Sequence, residues 1–170
     1  MLYAMGKSGD RLKPFYPKTS LVNEESIHYV RTRSVLVSGG QKFAWSSGMD
    51  RVNIIREGIP YEAIEVIGKR MNAPVKDVLH IFNLPQTTYN KKRREDALLN
   101  ERDSETILLL TELIDFGILV FNGDEKKFLR WMKKPNVSLG GVSPESLLDS
   151  VTGMQEVKNC LNRLEYGNLA

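Results

Sequence analysis

Nucleophilic catalysis needs a nucleophile held beside a base. The chain has a single cysteine, Cys160, and two histidines, His28 and His80. Cys160 falls on the inner half of an amphipathic stretch and reads as packed core. His80 stands among apolar neighbours in a short helix and reads as a structural or surface residue, and His28 lies in a segment without clear periodicity. No Cys/His cluster has metal-ligand spacing. The carboxylates form no obvious pair, and Gly140-Gly141 lacks the lysine and hydroxyl that would follow in a phosphate loop. These residues point away from an enzyme, and they call for no metal and no cofactor.

The residue types that stand out suit recognition instead. Lys91, Lys92, Arg93 and Arg94 are consecutive, and Gln86, Thr87, Thr88 and Tyr89 precede them. Polar residues opening a recognition helix can reach base edges in the major groove. Cations further along can meet phosphates and supply salt-dependent affinity. A run of four cations alone also describes a plain solvated face, so the case for DNA rests on where the run sits.

It sits on the last of a series of short helices. DRVNIIREG reads as a first helix with Val52 and Ile55 on one side, ending at Gly58. Pro60 is placed near the start of YEAIEVIGKRM, whose Ile64, Ile67 and Met71 follow helical spacing. VKDVLHIF turns Val75, Val78, Leu79 and Phe82 inward, and Leu84-Pro85 opens TTYNKKRRED. Short helices joined by tight turns, the last one basic, are the layout of a helix-turn-helix reader.

Asp103 or Ser104 can cap a long helix running from Glu105 to Phe121. It is apolar on more than one face, which predicts either the core of the monomer or a self-association surface. After Asn122-Gly123, DEKKFLRWMKK presents Phe128, Trp131 and Met132 for packing. Ser143-Pro144 then predicts the start of a helix ESLLDSV, and Thr152-Gly153 separates it from MQEVKNCLNRLEYG with its stripe of Val157, Leu161 and Leu164. Residues 1–47 read as an N-terminal extension, partly extended or disordered, in which Tyr29 to Val37 has strand-like content before Gly39-Gly40. The expected organisation is therefore mainly α: this extension, a helix-turn-helix domain over 48–100, and a small all-helical domain over 101–170.

The 170 residues include 24 Lys and Arg against 21 Asp and Glu, a net charge of +3. Residues 1–97 hold 16 of those cations against 10 anions, and residues 98–170 hold 8 against 11. A basic front and an acidic back suggest two different partners, although so small an imbalance also arises by chance. With one cysteine there is no disulfide framework. The most apolar stretch, Ile107 to Phe121, carries Glu112 and Asp115 and is shorter than the roughly 20 residues that cross a bilayer. A cytoplasmic protein without membrane contact is expected.

The string FNGDEKKFLRWMKKPNVSLGGVSPESLLDSVTGMQEVKNCLNRLEYG resembles the toxin-binding domain of Xre/MbcA/ParS-type antitoxins. The resemblance is carried by Trp131, Pro135-Asn136, Leu139-Gly140-Gly141, Pro144, Val157, Leu161, Arg163, Glu165 and Tyr166-Gly167. Upstream, Leu84-Pro85, Thr88 and the Lys91-Lys92 pair are similar to the family's Xre-like helix-turn-helix. Phe128 stands where the family commonly has a small residue, Met132 where it has leucine, and Tyr89 where an aliphatic residue is frequent.

The resemblance implies a protein partner, a RES-domain toxin that consumes NAD by degrading it or by transferring its ADP-ribose. It implies that the antitoxin's C-terminal end covers the toxin's active site. Carried onto this chain, the toxin-binding residues are Arg163, Tyr166, Gly167, Asn168 and Leu169. The expected DNA-binding residues are Gln86, Thr87, Thr88, Tyr89, Lys91, Lys92 and Arg93, acting on operator DNA. A homodimer is expected, because a pair of recognition helices on one DNA face needs two-fold symmetry. The helix from Glu105 to Phe121 is the candidate contact for that dimer. Two other readings compete: a DNA-binding regulator without a toxin partner, and a scaffold that binds protein only.

Overall fold

The computed structural model describes residues 34–167, so His28, most of the N-terminal extension, and Asn168 and Leu169 lie outside the described residues. The first described element is a hairpin of β1 (Ser34–Ser38) and β2 (Gln41–Trp45), paired antiparallel from Ser34↔Trp45 to Ser38↔Gln41. Gly39 and Gly40 close it at φ 56° and 72°. A two-residue turn with positive φ at both positions matches the right-handed twist of the strands. Alternation sends Leu36, Phe43 and Trp45 into the core and leaves Val35 and Val37 exposed. This end of the extension is therefore an integral part of the fold. Trp45 is fixed further by its indole N–H, which donates to Glu112 Oε1 at 2.7 Å.

Helix α1 (Gly48–Glu57) begins with a reciprocal capping box, Ser47 accepting from the Asp50 N–H and Asp50 accepting from the Ser47 N–H. Hydrogen bonds from the Ser46 backbone and then from Ser47 hold the Asp50 carboxyl below its ordinary range. The buried member of α1 is Ile54, with Val52 and Ile55 at its flanks, so the inward face is centred one residue away from the expected pair. Helix α2 (Ala63–Arg70) starts later than Pro60 predicts. Pro60 instead forms a β-bridge with Leu98, which ties the α1–α2 connection to the segment before the long helix.

Helices α3 (Val75–Ile81) and α4 (Gln86–Arg94) follow, separated by a turn in which Asn83 takes φ 50°. Val78 and Leu79 are buried, while Val75 and Phe82 pack partly against the core.

Helix α5 (Glu101–Val120) is 20 residues long, the longest of the described elements. Asn100 caps it by accepting from the Asp103 N–H at 2.8 Å, and the helix starts four residues before Glu105. Ser104, expected as a possible cap, is fully buried instead, where its hydroxyl accepts from the Ile59 N–H. The apolar faces of α5 bury Ile107, Leu108, Leu110, Leu113 and Ile114 inside one chain. They form the core of the monomer, the first of the two roles that the apolar faces of this helix predict. The helix packs against α1, α2 and β1 on one side, and against α6 (Glu125–Met132) and α7 (Val151–Glu165) on the other. The Arg70–Asp115 ion pair secures α2 to it.

After α6, two 3-10 turns (Val137–Leu139 and Pro144–Leu147) lead into α7. Pro144 opens a 3-10 turn and not an α-helix. The final helix is capped by Ser150 and runs straight through Thr152-Gly153, which the sequence reads as a break. Gly153 is there for close packing: a Cβ would collide with the Leu147 carbonyl oxygen. Gly117 on α5 has the same kind of role, since a Cβ at that point would enter the ring of Phe128.

Candidate functional site

One candidate site is the outer surface of α4. Its residues are exposed except for Tyr89, which is 2% accessible and is the one buried residue of the helix. The Tyr89 ring packs near Tyr61, with centroids 6.4 Å apart, and its hydroxyl donates to Glu65 Oε1 on α2 at 3.2 Å. Arg93, one turn further on, donates to the other oxygen of the same carboxylate at 3.0 Å. A single acidic side chain thus clamps α4 to α2 through two partners. Burial, and then the negative charge of Glu65, push the Tyr89 hydroxyl up to about 12, so it remains a donor at neutral pH.

Gln86, Thr87, Thr88, Lys91 and Lys92 are all exposed on α4. Gln86 is held by a hydrogen bond to Asn90 at 3.0 Å. Among the described residues Lys91 and Lys92 pair with Glu95, at 4.0 and 3.9 Å, in exposed pairs that contribute little and release easily. Tyr89 is the departure from the expected set. It faces the core and anchors the helix, so it has no free edge to offer a base. Glu65, which positions both Tyr89 and Arg93, was not foreseen. It stands 24 and 28 residues from its partners, and no local pattern announces the pairing.

The second candidate site is the C-terminal end of α7. Met154, Val157, Cys160 and Leu161 are buried against α5. Beyond them the helix leaves the core. Arg163 is half-buried, Leu164 is 41% exposed, and Tyr166 is 75% exposed at the C-cap. Gly167 follows at φ 65°, its N–H reaching the Leu164 carbonyl. Tyr166 does not fold back onto its own domain. The described part of the expected set, Arg163, Tyr166 and Gly167, is brought together at one end. Asn168 and Leu169 continue from it in sequence, outside the described residues.

A cleft of about 380 Å³ lies between α3 and the Pro144–Leu147 turn. Asp77, Glu145 and Asp149 line it, and those carboxylates would repel the phosphates of a nucleotide or nucleic acid. Among the described residues no group of His, Cys, Asp and Glu is arranged to hold a metal ion. Among them, too, no single helix is long and apolar enough to cross a membrane.

Short helices ending in an exposed basic one, followed by a long helix on which further helices pack, define a helix-turn-helix class of protein. Comparison with known proteins gives this class its family. Residues 50–112 match the antitoxin Xre-like helix-turn-helix domain, and residues 117–167 match the antitoxin Xre/MbcA/ParS C-terminal toxin-binding domain. A protein named antitoxin Xre from Photorhabdus laumondii is 31% identical over 125 residues, covering 74% of this chain and 84% of that protein. Antitoxin Xre of Yersinia enterocolitica is also 31% identical, over 72% of this chain and 82% of its own length. A Sphingobium protein named Prs ADP-ribosylating antitoxin is 27% identical over 74% of this chain and 84% of its own. The chain belongs to the Xre/MbcA/ParS family of antitoxins, with a helix-turn-helix domain and a toxin-binding domain. The two matched regions meet inside α5, which serves both.

Proposed function

We propose that this antitoxin neutralises a RES-domain toxin that consumes NAD, by covering the toxin's active site with the chain from Arg163 onward. The observation that carries the reading is Tyr166, three-quarters exposed at the end of a helix whose preceding turns are locked into the core. A large aromatic held in solvent by a rigid base is a natural anchor for a concave partner site. Arg163 beside it can pair with acidic groups in such a pocket. The likeness to a protein named Prs ADP-ribosylating antitoxin is compatible with a partner acting on NAD.

The adjacent reading frame supplies the test. If it encodes a RES-domain protein, co-expression restores growth, and truncation after Leu164 abolishes the rescue. Rescue by the truncated chain would remove the covering role from the C-terminal residues.

We also infer that α4 binds operator DNA and that the antitoxin represses its own operon as a homodimer. Gln86, Thr87 and Thr88 face the bases, while Lys91 and Lys92 meet phosphates. Arg93 joins them once it exchanges Glu65 for a phosphate. In a gel shift on the upstream DNA, Lys91→Ala with Lys92→Ala abolishes binding and leaves neutralisation intact. Unchanged binding would take α4 out of the DNA interface.

A further inference from the structure

We propose that the turn from Asn136 to Val142 is a second part of the toxin-binding surface, with Val137 as its apolar anchor. The inference rests on the reading of the α7 end as toxin-facing and extends it to a segment that lies away from that end in sequence. Val137 is 94% exposed, the most exposed of the large apolar residues described. A lone solvent-facing valine on a loose loop would be unremarkable. This one is held firmly.

The Asn136 side chain accepts from the Ser138 N–H at 2.9 Å and donates to Cys160 Sγ on α7 at 3.6 Å. The Asn136 backbone pairs with Val142, and its carbonyl also accepts from the Gly141 N–H at 2.9 Å. Gly140 and Gly141, at φ 73° and 82°, make the left-handed reversal that lets these bonds form. Hydrogen bonding of this density fixes a turn whose tip is apolar. An anchor already fixed in place loses little conformational freedom on binding, which is the general benefit of preorganisation.

The surroundings of Val137 point to its occupant. Val142, 42% exposed, stands opposite Asn136 in the bridge. Leu164 lies one helical turn beyond Cys160 on the face of α7 that Asn136 touches. Tyr166 follows at the same end of the helix. Val137, Val142, Leu164 and Tyr166 are all exposed and all fall in the matched toxin-binding region 117–167, and Asn136 touches α7 one turn before Leu164. The match of this region to a toxin-binding domain, and the contact of Asn136 with the helix that carries Arg163 and Tyr166, assign the turn to the toxin and not to a second copy of the antitoxin.

The experiment measures affinity for the toxin encoded beside this chain, where the adjacent frame encodes a RES-domain protein, using the full-length antitoxin. Val137→Asp should weaken binding about tenfold or more. Val137→Ser, which removes apolar surface without adding charge, should fall between it and the parent. Val151, 60% exposed at the opposite end of α7, supplies the control. Val151→Asp should stay within about twofold of the parent, because it lies at the start of α7, away from the Asn136 contact and from Tyr166. Circular-dichroism melting and operator binding should be the same for all three variants, since neither side chain contributes to the core.

Binding by Val137→Asp within about twofold of the parent, while truncation after Leu164 abolishes it, would overturn the turn and leave the covering end standing. A tenfold loss in Val137→Asp together with full binding by the truncated chain would do the opposite. A change in the mass of the free antitoxin on Val137→Asp, or an equal loss in Val151→Asp, would also overturn the proposal.

Discussion

Helices α4 and α7 each present a candidate recognition surface, and they are held in opposite ways. α4 has one buried residue, Tyr89, and a carboxylate clamp at Glu65. α7 buries Gly153, Met154, Val157, Cys160 and Leu161 along its length, and after Leu161 none of its residues is buried. A surface for a polyanion has to be cationic and solvated, so nearly every position of a short helix is given over to it. A surface that fills a partner's cavity needs a fixed base and a projecting tip. The contrast teaches that α4 depends on a single side chain, whereas α7 depends on close packing distributed over several turns.

The sharpest way to break the comparison is Tyr89→Ala. Removing the only buried side chain of α4 should cost about 3 kcal/mol or more, measured by denaturant unfolding. Operator binding should be lost even under conditions where the rest of the chain is folded and still binds toxin. Next is Gly153→Ala, where the new methyl meets backbone and cannot be accommodated by a side-chain rotation. A loss of about 1–3 kcal/mol in thermal unfolding is expected, with weaker toxin binding, because the base of the α7 end shifts.

Lys91→Ala and Lys92→Ala should leave stability unchanged. Each should lower the slope of log affinity against log salt by about 0.9 for every phosphate contact removed. The smallest effect is on pH dependence. The folded Tyr89 hydroxyl loses its proton near 12 against an ordinary 10, so the folded state retains a proton that the unfolded chain gives up. The stability this supplies is fully present below pH 10 and is lost as pH rises towards 12. Alkaline unfolding curves of the parent and of Tyr89→Phe should therefore converge over that window.

The sequence made the helical periods, the basic run and the C-terminal family string legible, because each is a local pattern. It misled where one residue serves two roles. Gly153 reads as a break, yet it is a packing glycine inside α7, and only the Leu147 carbonyl across from it reveals this. Ser104 reads as a cap but is a buried hydrogen-bonding partner of Ile59. Asn100, the actual cap, stands just ahead of it. Tyr89 shares the helix of the expected DNA contacts, and its burial depends on Tyr61 and Glu65, which belong to another part of the chain. The hairpin was the least legible element. Its strand content was visible, but the partnership of Trp45 with Glu112 spans 67 residues.

The Gly117–Phe128 contact also bears on how such a chain diverges. Phe128 and Gly117 are fitted to each other: Gly117 is the vacancy that receives the phenylalanine ring. Neither change is tolerable alone: enlarging Gly117 drives a methyl into an aromatic ring, and shrinking Phe128 leaves a hole lined by Phe121 and Trp131. The two sites therefore carry one piece of information between them. A relative that has lost the phenylalanine is free to regain a side chain at the glycine, and the double exchange should restore the stability that either single exchange removes.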